Sequence, residues 1–164
     1  MRKIIMLLTA LLVLAAVNFN IYQREQLISN GRIALLELAP VDPRSLMQGD
    51  YMALRFKVAT QAFAQKDLQT LKDGHLVVTL DERNVASFNR FAESSTLAEN
   101  EILLRYRIRN GRSKFATNAF FFQEGHSKDY ENARYGEFRV APNGEAILTQ
   151  MRDKDLVVLG PLFP

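Results

Sequence analysis

The chain begins with a long apolar run, and short apolar segments separated by turn residues follow it. Residues 4–17 are apolar except at Thr9, and the apolar character continues less strictly as far as Tyr22. Counted to Tyr22, the run has about 19 residues and would form a helix about 28 Å long, which matches the hydrocarbon core of a bilayer. The pattern therefore predicts an N-terminal transmembrane helix.

Two cations, Arg2 and Lys3, precede the run. Because basic residues favour the cytoplasmic side, we expect the N-terminus in the cytoplasm and the rest of the chain outside, on the periplasmic side of a single-pass cell-membrane protein. We divide the chain into a signal-anchor (residues 1–24) and an extracytoplasmic β domain (residues 25–164). A cleaved signal sequence is the alternative to an uncleaved anchor. Residues 23–30 are polar with helical spacing, so we expect the helix to continue and to end at Asn30-Gly31.

The remainder of the chain reads as eight or nine short strands with closely spaced turns. This pattern predicts a mainly β fold, an antiparallel sandwich or partly closed barrel with one or two short helices. Residues 51–58 alternate, with Met52, Leu54, Phe56 and Val58 on the apolar side, and read as one strand. Residues 59–71 are consistent with a short amphipathic helix or an irregular crossing. The other predicted strands are residues 32–38, 76–80, 85–91, 104–109, 114–122, 135–140, 145–151 and 156–159.

Residues 40–56 hold the densest cluster of turn residues in the chain. Pro40 and Pro43 lack an N–H and do not fit a central strand, and Gly49 supplies a second turn. A constrained loop between two strands therefore carries three charged residues. Either Arg44 pairs with a carboxylate to brace this loop, or the loop is a binding or catalytic site. The charged residues are Asp42, Arg44 and Asp50.

This segment resembles the motif of the GDYxxLxY family. Gly49, Asp50, Tyr51 and Leu54 match the motif, and Phe56 replaces its final tyrosine. Residues 40–44, 121–125 and 133–137 also resemble family segments, and the resemblance runs from roughly residue 20 to the C-terminus. It implies a bacterial membrane-anchored protein that accompanies multi-pass membrane proteins, with no known reaction. The candidate binding residues are Asp42, Arg44, Gly49, Asp50 and Tyr51.

A β-hairpin is predicted around Asn110-Gly111, the strongest short signal for a two-residue turn. Its first strand alternates apolar with basic positions, so three arginines share one face. This basic face is either a solvated strand surface or a contact for anionic lipid headgroups, a polyanionic glycan or an acidic partner. The three residues are Arg105, Arg107 and Arg109, with Arg112 and Lys114 on the return strand as further candidates.

The composition narrows the range of functions that the chain could have. The net charge is +3, yet leaving out Arg2, Lys3 and Arg24 leaves 18 basic and 18 acidic residues. The domain is thus neutral overall, which gives no support for a nucleic-acid partner. The chain has no cysteine, so disulfides, thiol chemistry and zinc–thiolate sites are excluded.

No catalytic constellation is evident. The two histidines, His75 and His126, do not show metal-ligand spacing, so we predict no metal and no cofactor. A carboxylate-oriented His126 remains a possible acid or base. We expect a non-enzymatic accessory or interaction subunit of an envelope membrane complex, with a multi-pass membrane protein as partner. The alternatives are a module that binds an anionic glycan or lipid headgroup, and a divergent hydrolase that uses the loop from Asp42 to Asp50.

Overall fold

A computed structural model of the chain describes residues 2–39, 47–48, 51–64, 68–92 and 96–160. Four of the predicted site residues, Asp42, Arg44, Gly49 and Asp50, lie outside these ranges. The fifth, Tyr51, and all three arginines of the basic face lie inside them.

The N-terminal helix α1 spans Arg2–Asn30. It is long and apolar enough to cross a membrane, and its apolar stretch has no contact with the rest of the protein. Its polar side chains at Thr9, Asn18 and Asn20 donate hydrogen bonds to backbone carbonyls four residues earlier. Their polar groups are therefore satisfied inside the helix, as a helix in lipid requires. The helix ends at Asn30 as predicted, so the expected boundary after residue 24 falls within a continuous helix.

The rest of the described chain is mainly β, which confirms the predicted class. Two short helices accompany the strands: α2, Lys57–Phe63, and a 3-10 helix, Ser127–Tyr130. The strands are β1 (Arg32–Glu37), β2 (Met47–Gln48), β3 (Tyr51–Ala53), β4 (Gly74–Leu80), β5 (Val85–Phe91), β6 (Glu101–Arg109), β7 (Arg112–Lys114), β8 (Ala119–Phe121), β9 (Tyr135–Val140), β10 (Ala146–Arg152) and β11 (Val158–Leu159).

The strands form two sheets. The larger has eight strands in the order β11-β10-β9-β1-β5-β4-β6-β7, and the smaller has three in the order β2-β3-β8. In the larger sheet β1 runs parallel to β5, and every other pair is antiparallel. The large sheet is therefore mainly antiparallel, as predicted, with one parallel pair that the sequence did not indicate. It is open, with β11 and β7 at its two edges, so the barrel alternative does not hold for the described strands.

The predicted strand over residues 51–58 is correct only in its first half. It ends at Ala53, and after a single bridge from Phe56 to Leu38 the chain enters α2 at Lys57. Val58 is buried as predicted, but together with Ala62 and Phe63 on one face of a helix. Val58 lies four residues before Ala62 and five before Phe63, a spacing that places them towards one side of a helix. Val58 also fits an alternation of every second residue, which is why the sequence predicted a strand here.

The core lies between the eight-stranded sheet and the elements that cover it. Helix α2 packs on β1 and β5, and Phe63 meets Tyr106 of β6 edge-on, with ring centroids 5.1 Å apart. Phe56 meets Phe138 of β9 in the same way at 5.4 Å. Edge-to-face pairs of this kind add to the free energy gained by burying the rings. The covering segment is thus held to the sheet by aromatic rings.

Among the described residues, one carboxylate is buried. Glu137 of β9 is buried and accepts a hydrogen bond from Nε of Arg152 on β10 at 2.6 Å, and Nη2 of Arg152 forms a salt bridge with the same oxygen at 2.5 Å. Arg152 also donates from Nη1 to the carbonyl of Leu156. The pair therefore connects β9 and β10 with the turn that leads to β11. Because the carboxylate is shielded from water, it depends on this one arginine for its charge compensation.

We expect Arg152→Met to lower the free energy of unfolding by about 3–5 kcal/mol, because it leaves the Glu137 carboxylate buried and unpaired. The double variant Glu137→Leu/Arg152→Met should lose less than the single one, since it leaves no buried charge. Urea unfolding of the full chain in neutral detergent measures both. Lys154→Met, at an exposed ion pair with Asp155, is the control and should cost less than about 1 kcal/mol. A double variant with a lower free energy of unfolding than Arg152→Met would contradict this account.

A second carboxylate links β5 to β6. Glu101 accepts hydrogen bonds from the guanidinium of Arg90, from the backbone N–H of Ala98 and from Nδ2 of Asn89. These contacts, with Arg90 the strongest, lower the pKa of Glu101 from 4.5 to about 2. The native state therefore binds a proton at Glu101 less readily than the unfolded chain does.

Glu101 should accordingly contribute to stability in full above about pH 4.5 and lose that contribution as the pH falls towards 2. We expect stability to fall more steeply over this interval in the wild type than in Glu101→Gln, when urea unfolding is measured at each pH. Glu82→Gln, in the exposed turn between β4 and β5, is the matched control and should keep the wild-type slope. If stability changes equally with pH in Glu101→Gln and in the wild type, the contact with Arg90 does not make folding depend on the charge of Glu101.

Candidate functional site

The hairpin of β6 and β7 places like charges directly opposite each other. Asn110 and Gly111 adopt φ angles of 53° and 66°, which are typical of a two-residue turn. This turn sets the register, so Arg107 lies opposite Lys114, and Arg109 lies opposite Arg112. Like charges in directly opposed positions destabilise a strand pair. The opposed cations of this hairpin therefore lower the stability of the folded state.

Carboxylates compensate two of the arginines. Asp73 accepts two hydrogen bonds from Arg109, at 2.9 and 3.0 Å, and a third at 2.8 Å from the backbone N–H of Ile108. The contact with Arg109, followed by that N–H, lowers the pKa of Asp73. Arg105 donates to Glu145 at 3.1 Å. Among the described residues, no carboxylate forms a salt bridge with Arg107 or Lys114.

These cations line a cavity of about 370 Å³ beside the anchor helix, which we call the basic groove. Arg24 reaches it from α1, so five cations converge there and Glu145 is the one carboxylate in its described lining. The lining residues are Arg24, Arg105, Arg107, Arg109, Lys114, Phe115, Ala116, Glu145 and Ala146.

A second cavity, of about 440 Å³, adjoins the first and is mostly apolar. We call it the apolar groove. Arg24, Ala116 and Ala146 line both grooves, so the two lie side by side. At its edge the ring of Phe121 is 71% exposed, which is unusual for so large an apolar side chain. The other lining residues are Thr117, Ala119, Phe120, Ile147 and Leu148.

The described residues of the GDYxxLxY-like motif lie in two places, some at this surface and some in the core. Tyr51 pairs with Phe121 across β3 and β8, and their ring centroids are 5.8 Å apart. Leu54 and Phe56 are buried in the core at 2% exposure. The second half of the motif thus builds the fold, whereas Tyr51 brings the motif to the rim of the apolar groove.

A third cavity, of about 540 Å³, lies beside α2 with mostly apolar walls and with Arg55 and Arg112 among its lining. The side-chain oxygen of Asn118, which also lines it, is buried and has no hydrogen-bond partner among the described residues. Two positions of the motif, Leu54 and Phe56, line this cavity, and so does Arg112, a further candidate of the basic face. The structure therefore places this cavity beside the buried half of the motif.

Neither histidine lines either groove, although His75 lies opposite Arg105 of the basic groove across β4 and β6. His75 is part of β4, not of a loop, and its Nε2 lies 3.1 Å from the carbonyl of Asn143. His126 Nδ1 lies 2.7 Å from Asp129 Oδ2, so a carboxylate orients it as predicted. Asp42 and Asp50, its possible partners in a hydrolase site, lie outside the described ranges.

Sequence reasoning did not select three residues of this site: Arg24, Glu145 and Phe121. The sequence places Arg24 at the end of the predicted anchor and Phe121 in a predicted strand, and neither position by itself marks a site. One usable signal was present, because a two-residue turn at Asn110-Gly111 already dictates that residue 107 opposes residue 114. The convergence of α1, β6 and β10 depends on tertiary packing and has no local signal.

We expect Lys114→Glu to raise the free energy of unfolding by about 0.5–1 kcal/mol at low salt, because it replaces a like-charge pair with an opposite-charge pair facing Arg107. The gain should shrink at 1 M salt, where the Debye length falls to about 3 Å. Urea unfolding at the two salt concentrations measures it. Lys128→Glu, which changes a cation away from the hairpin, is the control for net charge. A loss of stability in Lys114→Glu at low salt would contradict the assigned repulsion.

Comparison with known proteins places these observations in a family. A family model described as "GDYXXLXY protein" matches residues 13–151, most of the chain. The same comparison found no matching curated protein and no matching solved structure. The match includes the end of the anchor helix, Tyr51 and both grooves. The chain therefore belongs to the GDYXXLXY protein family.

Proposed function

We propose that this protein is a membrane-anchored interaction domain that acts, without catalysing a reaction itself, as an accessory subunit of a bacterial envelope membrane complex. In this proposal α1 remains in the membrane as a single-pass anchor with its N-terminus in the cytoplasm, and the β domain lies on the periplasmic side. Arg2 and Lys3 support this orientation. The partner we propose is a multi-pass membrane protein.

The junction between anchor and sheet supports a partner within or at the membrane. Only Gly31 separates α1 from β1, and Leu27 is buried where α1 contacts β9 and β10. Arg139 of β9 donates a hydrogen bond to the Gly31 carbonyl at 3.3 Å. The β domain therefore has no flexible linker that would let it swing away from the anchor, so the surface beside Arg24 would stay close to the bilayer.

The observation that carries the proposal is the position of Phe121. Its exposed ring lies against Tyr51 of the family motif and shares the apolar groove with Arg24 of the anchor. Exposed aromatic rings are frequent anchors of protein interfaces, because they bury much apolar area at small entropic cost. The motif surface and the membrane anchor thus offer one continuous face to a partner embedded in the same membrane.

The test is co-purification of the tagged full chain from native membranes in mild detergent. We expect a multi-pass membrane protein to accompany the wild type and to be lost from Phe121→Asp, since loss of an interface anchor costs about 2 kcal/mol or more, or roughly a 30-fold weaker association. Val157→Asp is the control, because Val157 is similarly exposed at 58% but follows the opposite end of β10 from the grooves.

Folding of both variants is checked first by thermal unfolding. A partner that is retained by folded Phe121→Asp, or that is lost equally from Val157→Asp, would refute the docking face. If wild type and variants all purify without a partner, the accessory role fails. The double variant Arg44→Ala/Asp50→Ala extends the same test to the motif loop.

A further inference from the structure

The basic groove holds positive charge that the described protein does not neutralise. Arg107 and Lys114 face each other across the hairpin, are exposed, and form no salt bridge with any described residue. Their neighbours differ, since Asp73 compensates Arg109 and Glu145 compensates Arg105. An anion bound between Arg107 and Lys114 would convert a repulsive pair into a binding site.

The position of Arg24 indicates where such an anion would come from. It follows the apolar run by two residues, or about 3 Å along the helix axis beyond Tyr22. An anchor that spans a bilayer would therefore hold the basic groove at the depth of the lipid headgroups, where cations are attracted to anionic lipids. Arg24 adds a third cation without a salt bridge among the described residues to the groove.

The apolar groove gives the site a second half. It shares Arg24, Ala116 and Ala146 with the basic groove, and its other lining residues include Phe121 and Ile147. A ligand that fills both grooves must carry a negative group joined directly to an apolar chain. A soluble glycan or free phosphate would satisfy only the basic half, whereas a phospholipid has both parts in this order.

We propose that the two grooves together bind one anionic phospholipid of the surrounding membrane. Arg24, Arg107 and Lys114 donate hydrogen bonds to the phosphate, and the arginines suit this role because guanidinium groups contact phosphate oxygens in a bidentate manner. Ile147 and Phe121 contact the start of an acyl chain. The inference rests on the charges of the basic groove, the depth of Arg24 and the adjoining apolar groove, and it does not require a protein partner. Phe121 belongs to both proposals, so the variants that test lipid binding are placed at other residues.

The test measures the thermal unfolding of the purified full chain in a neutral maltoside detergent. The additions are phosphatidylglycerol, phosphatidylcholine and inorganic phosphate. Phosphatidylglycerol at about 100 times its Kd should raise the wild-type Tm by about 5–10 °C, because a ligand that binds only the folded state stabilises it. Phosphatidylcholine and inorganic phosphate should each give a clearly smaller rise.

Two variants and a matched control make the result specific. Arg107→Gln/Lys114→Gln should show no rise with phosphatidylglycerol, although its Tm without lipid should equal or exceed that of the wild type because the repulsion is gone. Arg83→Gln/Lys154→Gln removes the same charge from two exposed turns and should respond like the wild type. The Tm of Ile147→Ser should rise less than that of the wild type on addition of phosphatidylglycerol, and by the same amount as the wild type on addition of inorganic phosphate. Each rise is measured from the variant's own lipid-free Tm.

Each other outcome overturns the proposal. An equal rise with inorganic phosphate, or an unchanged response of Ile147→Ser, would mean that an anion alone occupies the basic groove. A full response in Arg107→Gln/Lys114→Gln would place lipid binding elsewhere. No response of the wild type to phosphatidylglycerol would exclude the site. None of these results depends on whether a protein partner co-purifies, so the two proposals fail separately.

Discussion

Gly31 connects the last turn of α1 to β1 in a space that has no room for a side chain. A Cβ atom there would lie 3.0 Å from the Cβ of Arg139 and would also collide with the Leu27 carbonyl. The Gly31 N–H closes the helix by donating to that carbonyl at 2.9 Å. Because Gly31 alone joins helix and strand and Leu27 is buried beside it, the sheet holds the end of α1 where Arg24 lines both grooves.

The family motif has a structural half and a surface half. Phe56 replaces the motif's tyrosine and lies among Phe115 and Phe138, in edge-to-face contacts. An apolar ring fits this site without needing a partner for a hydroxyl. Tyr51, five residues earlier, is at the rim of the apolar groove. The family segments at residues 121–125 and 133–137 contain the neighbours of these two positions, so three distant parts of the sequence form one structural unit.

The charge distribution of the domain also becomes interpretable in three dimensions. A neutral total conceals a local excess, because carboxylates such as Asp73 and Glu145 pair with specific arginines and leave Arg107 and Lys114 without a salt bridge among the described residues. Compensation is therefore selective within a single strand.

Much of the fold could be predicted from the sequence, and for definite reasons. The length and composition of α1, its end at Asn30 and the hairpin turn at Asn110-Gly111 depend on local periodicity and on the conformational preferences of a few residues. The same local rules predicted the basic face, since alternate residues of a strand share one side. They also predicted that Leu54 and Phe56 belong to the core.

Other features were decided by tertiary structure. Residues 57–58 continued an alternating pattern, yet they are helical, and Val58, Ala62 and Phe63 are buried together in α2. The parallel pairing of β1 with β5 joins segments far apart in sequence, and no local pattern specifies it. Arg24 reaches the basic groove for the same reason. A sequence determines which residues are charged or apolar, whereas packing over long range determines which of them share a site.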